Sequence, residues 1–186
     1  MRLVVFGGTG FIGTRVLRHA LASGLRVASV SRSGQPMSPD PSLHGVEWLK
    51  GDVEDKADLS RVLDGADSVI SCIGAFGSND FMRRINGHAN VGLAEAAAGA
   101  GVRRFAYISA AVFRPVAAVA PGYFDGKRIA EEGVAKHFGA DGAILRPPAV
   151  YGSRQVSASV SIPIGLVRSW PPARGAARPD VGRNGR

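Results

Sequence analysis

Short apolar runs alternate with longer amphipathic stretches along most of the chain. Leu3 to Phe6 are four consecutive apolar residues, the pattern of a strand buried on both faces. Comparable runs recur at Leu25–Ser31, Val46–Lys50, Ala66–Ile73, Val102–Ser109 and Asp141–Arg146, which predicts six strands. Between them lie helical periods. Phe11 to Ser23 places Ile12, Val16, Leu17 and Ala20 on one face and ends at Gly24. Further helices are expected over Asp55–Leu63, from Asp80 to about Ala98 with Gly99 and Gly101 closing it, and from Gly122 to about Phe138. The stretch Gln35 to His44 holds Pro36, Pro39 and Pro41 and cannot be a regular helix, so that crossover is irregular. Strands alternating with helices predict an α/β fold, a doubly wound parallel sheet in a three-layer α/β/α arrangement.

The first strand leads into Gly7-Gly-Thr-Gly-Phe-Ile-Gly13 and then a helix. Gly7 permits a tight turn, Gly10 lets the backbone approach a pyrophosphate, and Gly13 lets the helix pack close. The unpaired N–H groups of that helix N-terminus favour an anion. Gly7, Thr9, Gly10, Phe11, Ile12 and Gly13 are therefore the expected phosphate-binding residues of a dinucleotide site. The competing reading is a plain structural turn, against which the strand–glycine–helix order argues.

Arg32 follows the second strand, where a carboxylate selects NAD and a basic residue selects NADP. No carboxylate appears before Asp40, so NADP is expected over NAD; an exposed loop arginine is the alternative. Asp52, ahead of Val53, is placed either to accept from the adenine amino group or to cap the helix that follows. The fourth strand ends at Cys72-Ile-Gly74, the topological switch point, where the backbone is expected along the cofactor ribose. Cys72 lies in an apolar run and reads as inert core rather than as a nucleophile. Asn86 and Asn90 share a helical face expected to be solvated, with one of them reaching the cofactor or a catalytic water. Ser109 closes the fifth strand, and Tyr123 and Lys127 are four apart on one helical face. A lysine beside a tyrosine favours the phenolate, and a nearby hydroxyl can orient a carbonyl. Ser109, Tyr123 and Lys127 thus form a proton-transfer set beside a hydride donor, with Lys127 also expected on the nicotinamide ribose. No metal site is expected.

The Gly7–Gly13 spacing, Tyr107-Ile-Ser109, Tyr123-x-x-x-Lys127 and Leu145-Arg-Pro-Pro-Ala-Val-Tyr-Gly152 resemble the extended and atypical short-chain dehydrogenase/reductases. That resemblance covers about Met1 to Trp170 and implies a Rossmann fold, NADP(H) binding and hydride transfer to a carbonyl or quinone-like small molecule. Asn86-Gly-His-Ala-Asn90, Val102-Arg-Arg-Phe105 and Gly122-Tyr-Phe-Asp-Gly-Lys-Arg128 are most similar to one branch of it. The branch includes the nucleotide-binding accessory subunit of respiratory complex I, a mitochondrial ubiquinone-biosynthesis protein and related plastid proteins. It implies the alternative of a non-catalytic nucleotide-binding subunit of a larger organellar complex. Extended members continue into a substrate lobe, whereas here the pattern fades after Arg168. A remnant of that lobe is expected from about 151, with exposed apolar surface at Val150, Tyr151 and Ile162 to Leu166. The tail, residues 171–186, has Val181 as its single large apolar residue and is expected to be disordered.

Composition alters this picture little. The 186 residues, 45% apolar and 20% charged, suit one globular domain over 1–170 plus the tail. Of the net charge of +8, +4 falls in the last 19 residues, and no basic run interleaved with aromatics occurs, so nucleic acid is not an expected partner. No membrane-length apolar run exists, and Met1 leads directly into the first strand. A soluble protein of cytoplasm, matrix or stroma is the expectation. The single cysteine forms no internal disulfide.

Overall fold

The computed structural model describes residues 1–112, 120–148 and 150, and the backbone alone of 152–157 and 160–164. Six parallel strands form one sheet in the order β3-β2-β1-β4-β5-β6. They are β1 (Arg2–Phe6), β2 (Arg26–Ser31), β3 (Val46–Lys50), β4 (Ser68–Ser71), β5 (Arg104–Ile108) and β6 (Gly142–Leu145). The helices are α1 (Phe11–Ala22), α2 (Lys56–Leu63), α3 (Asn79–Arg83), α4 (Ala89–Gly99) and α5 (Pro121–Phe138). This is the doubly wound Rossmann order, with the switch point between β1 and β4.

Strand β1 shows why the sheet is buried on both faces. Leu3 and Val5 pack with Val27, Val46, Leu17 and Ala20 on the side covered by α1. Val4 and Phe6 pack with Leu63, Leu93, Ala97 and Val134 on the side covered by α2, α4 and α5. Each Leu, Val or Phe side chain among them contributes roughly 1.5–3 kcal/mol by leaving water.

The expected strands are all present, but β4 and β5 are shorter than their apolar runs. Ala66 N–H closes a turn onto Leu63 O, and Val102 N–H bonds Ala97 O, so both residues serve preceding helices instead of the ladder. Helix α2 starts at Lys56, because the Asp55 carboxylate caps it by accepting from the N–H groups of Ala57 and Asp58. The proline-rich crossover carries one 3-10 turn, Pro41–Leu43. The single helix expected from Asp80 to Ala98 is interrupted by a π-helical turn, Arg84–His88, between α3 and α4. After β6, β7 (Gly152–Ser157) and β8 (Val160–Ile164) pair antiparallel, where no strand was expected. The expected disorder of residues 171–186, and the side chains of Tyr151 and 162–166, lie outside the described residues. Val150 is exposed. Among the described residues no helix is long and apolar enough to cross a membrane.

Candidate functional site

The register sets Phe6 opposite Val30 on one side and Ser71 on the other, and pairs Ser71 with Tyr107. The residues just beyond these ends therefore gather along one edge of the sheet. Gly7 turns there with φ +73°, and a Cβ on it would stand 3.0 Å from the Cys72 carbonyl carbon. A Cβ on Gly13 would lie 2.2 Å from Gly7 O and 2.6 Å from Gly8 Cα, so the helix meets the loop backbone directly. A Cβ on Gly8 would fall 2.2 Å from Ser29 Oγ, a buried hydroxyl with no partner among the described residues. Gly10 is open apart from Gly7 O at 3.1 Å and precedes α1 with no side-chain cap. The first N–H groups of α1 are free of intrahelical partners, as at any helix start. Thr9, Phe11 and Ile12 sit half-buried on the rim. A cradle that side chains would fill, under an uncapped helix start, fits a pyrophosphate.

Arg32 stands exposed one residue beyond β2 and forms no ion pair among the described residues. The Asp52 carboxylate accepts from Glu54 N–H at 3.0 Å, and its own N–H donates to Asp58 at 2.9 Å. Its expected alternative as helix cap is corrected: Asp55, three residues on, fills that place. Val53 packs against the α2–α4 side of the core. Cys72 is largely buried and its thiol is pushed up to about 12 by that burial, so it stays protonated and unreactive at neutral pH.

Lys127 is 4% exposed, with Nζ donating to Ile108 O at 2.8 Å and Ile73 O at 3.2 Å. It thereby ties together the ends of β4 and β5 beside Gly74, whose Cβ would approach Nζ at 3.5 Å. Burial lowers its ammonium to about 8, with Cys72 and Glu131 opposing that shift. Tyr123, one turn earlier, is half-buried, and burial raises its phenol above the ordinary value. Lys127 Nζ lies 5.7 Å from the Tyr123 ring centroid and is engaged by the two carbonyls. The phenol remains protonated at neutral pH. Ser109 is buried, and its hydroxyl donates to Glu131 Oε1 at 2.5 Å. Burial works against the Glu131 charge, but hydrogen bonds from Arg146 and Ser109 outweigh it and hold the carboxyl below its usual range. Of the expected set, Tyr123 and Lys127 are brought together, while the Ser109 hydroxyl is turned to Glu131.

Asn86 and Asn90 are fully buried, contrary to the expected solvated face. Asn86 Oδ1 accepts from Ala75 N–H at 2.8 Å while its Nδ2 donates to Ala75 O at 2.9 Å. Asn90 Oδ1 accepts from Ser71 Oγ, and Nδ2 donates to Ile85 O and Asn86 O. Tyr107 donates to Asn86 O at 2.9 Å. The π turn supplies this geometry by setting Asn86 against the strand ends, a placement such turns often serve at functional sites. Spacing could have pointed to Glu131 as well, since it lies one turn beyond Lys127. A depression of about 800 Å³ lined by Met1, Ser68, Arg104 and Phe138 lies at the opposite edge of the strands and takes no part.

The buried Lys127 predicts a pH effect. The unfolded lysine holds its proton up to about 10.5 and the folded one only to about 8, so between them the unfolded state binds more protons. The cost of the buried charge is fully present below about pH 8, and stability rises above it. Lys127→Met should flatten the rise in urea-unfolding stability between pH 7.5 and 9.5 to at most about half of wild type, as follows from this linkage; an unchanged rise would place the titration elsewhere.

The chain matches the family described as NAD(P)H-binding over residues 7–162. It is 41% identical over 167 residues to an uncharacterized chloroplastic protein of Arabidopsis thaliana, covering 89% of this chain and 56% of that protein. Component 2 of the MIOREX complex of Saccharomyces cerevisiae is 34% identical over 84 residues, covering 42% of this chain and 30% of its own. The chain thus spans about half or less of these curated relatives. A short-chain dehydrogenase/reductase superfamily protein of Agrobacterium tumefaciens, solved with bound NAD, superposes with a TM-score of 0.61 at 29% identity, covering 78% of this chain and 48% of that one. Strand order, glycine cradle and sequence match agree: the chain belongs to the NAD(P)H-binding family, with the Rossmann fold of the short-chain dehydrogenase/reductase-like proteins.

Proposed function

We propose that the chain is an NADP(H)-dependent oxidoreductase acting on a carbonyl or quinone-like small molecule. The observation that carries this is Tyr123 beside Lys127 at the sheet edge that also holds the glycine cradle. When bound, the nicotinamide supplies a hydride to the carbonyl carbon. Tyr123, held as a neutral phenol by burial, supplies the proton to the oxygen, so that a carbonyl plus hydride plus proton gives an alcohol. Lys127 holds the strand ends in place and its charge lies within reach to stabilise the phenolate left behind. Ser109 reaches the carbonyl only if its bond to Glu131 is exchanged. Gly7, Thr9, Gly10, Phe11, Ile12 and Gly13 would hold the pyrophosphate, Cys72 and Gly74 the ribose side, and Asp52 and Val53 the adenine. Exposed Arg32, without a carboxylate competitor, supports NADP over the NAD bound by the Agrobacterium protein.

Tyr123→Phe should lower turnover of a carbonyl substrate by about 100-fold or more. Its NADPH dissociation constant should stay within about twofold, because the phenol is not among the groups proposed to hold the pyrophosphate or the ribose. Undiminished turnover would remove Tyr123 from the chemistry. A second reading, a nucleotide-binding subunit of an organellar complex, is supported by the name of the yeast relative and the chloroplastic Arabidopsis one. Tight NADPH binding with no turnover, together with co-migration of the chain with a large complex on a native gel, would favour it.

A further inference from the structure

We propose that Glu131 is a positioning residue of this site: gripped by Ser109 and Arg146, its carboxylate anchors the positive charge of Lys127 beside Tyr123. The inference deepens the oxidoreductase reading and rests on its use of Lys127 at that place.

The ends of three neighbouring strands, in the order β4-β5-β6, set the geometry. Lys127 spans the first gap, donating to Ile73 O just beyond β4 and to Ile108 O at the end of β5. Its ammonium carries three protons, and two are spent there. Glu131, one helical turn on, spans the second gap. Its Oε1 accepts from Ser109 at 2.5 Å and from Arg146 Nε at 2.8 Å, and its Oε2 accepts from a second Arg146 nitrogen at 2.5 Å. Ser109 follows Ile108 directly, so consecutive residues receive the ammonium and hold the carboxylate. Three hydrogen bonds on two oxygens leave that carboxylate little freedom to turn away.

Charge explains what the grip does. The Lys127 ammonium is 4% exposed and gains little from water, so neighbouring charges decide how firmly it keeps its proton. Cys72 faces it from the end of β4, Tyr107 from β5 with its ring centroid at 4.7 Å, and Tyr123 from its own helix. The Cys72 thiol holds its proton to about 12, and burial pushes both phenols up as well, so all three are neutral around pH 8. That leaves Glu131 as the negative charge acting on Lys127 among the described residues. Arg146 offsets it only in part, because the guanidinium belongs to the next strand over and is half in water, where its field is screened.

The test follows the Lys127 side chain by NMR in a chain carrying 13C-labelled lysine, titrated from about pH 6 to 10. Lys127→Met identifies its signal among those of Lys50, Lys56 and Lys136. The wild-type midpoint is expected at about 8. Glu131→Gln keeps an acceptor for Ser109 and for Arg146 but no charge, and should lower the proton affinity of Lys127 at least about threefold. Arg146→Met strips the counter-charge from Glu131 and should raise that affinity about twofold or more. Glu132→Gln, the same change on the exposed neighbour paired with Arg128, should leave it within about 1.5-fold. A Glu131→Gln midpoint no lower than that of Glu132→Gln, or a fall in Arg146→Met, would overturn the proposal. NADPH titration of the same samples separates the two readings: midpoints as predicted in a chain that binds no NADPH would uphold the role of Glu131 and sink the oxidoreductase reading.

Discussion

Gly13→Ala is expected to weaken NADPH binding by about 100-fold or more. A methyl group there would meet Gly7 O at 2.2 Å and Gly8 Cα at 2.6 Å, and both are backbone atoms that no side-chain rotation can clear. Helix α1 must then withdraw or the Gly7–Gly10 turn must shift. Either movement misaligns the N–H groups proposed to face the pyrophosphate. Losing two charge-assisted hydrogen bonds, at roughly 1.5–3 kcal/mol each, amounts to at least a hundredfold in affinity. The overpacking itself should cost roughly 1–3 kcal/mol of stability, so binding and unfolding are to be measured on the same samples. Gly10→Ala is the informative contrast, because a Cβ there meets only Gly7 O at 3.1 Å and leaves the fold nearly intact while obstructing the nucleotide. NADPH affinity of Gly13→Ala within threefold of wild type would mean that the cofactor does not use this cradle.

Asn86→Leu should be among the most destabilising single changes in the chain, at roughly 2–5 kcal/mol. The side chain is fully buried and exchanges two hydrogen bonds with Ala75, so leucine leaves a partly buried N–H and C=O unpaired. For a domain of this size that corresponds to a fall in Tm of roughly 5–15 °C. Asn86→Asp keeps the acceptor for Ala75 N–H but sets a carboxylate against Ala75 O, and should also destabilise. A loss below 1 °C by differential scanning calorimetry in both variants would show that water replaces the fork without cost.

The sheet was legible because its central strands are buried and apolar on both faces, as Val4, Val5 and Phe6 of β1 and Val27, Ala28 and Val30 of β2 are. The edge strands β3 and β6 are only partly buried and were read from their short apolar runs between helical periods. The glycine cradle was legible for a similar reason: three glycines at fixed spacing after such a strand leave few alternatives. Strand ends were less so, since Ala66 and Val102 have strand-like side chains but give their N–H groups to turns. The polar contacts around the site depend on folded proximity that no local pattern encodes. Asn86 reaches back 11 residues to Ala75, and Ser109 meets Glu131 across 22. A π turn adds one residue to a helical turn, which rotates Asn86 and Asn90 from the expected solvated face into the interior. The tyrosine–lysine spacing points to one helical face, whereas the two carbonyls that engage the Lys127 ammonium come from strand ends far along the chain and leave no local pattern.

The most direct measurement is an equilibrium titration of the chain with NADPH and with NADH, read by intrinsic fluorescence and thermal shift, on wild type and Arg32→Ala. The cradle and the exposed arginine predict saturable binding of both, with NADPH at least about tenfold tighter, and that preference lost in Arg32→Ala while NADH affinity is unchanged, as the 2′-phosphate rule requires. Binding of neither dinucleotide, or equal affinities that ignore Arg32, would contradict it.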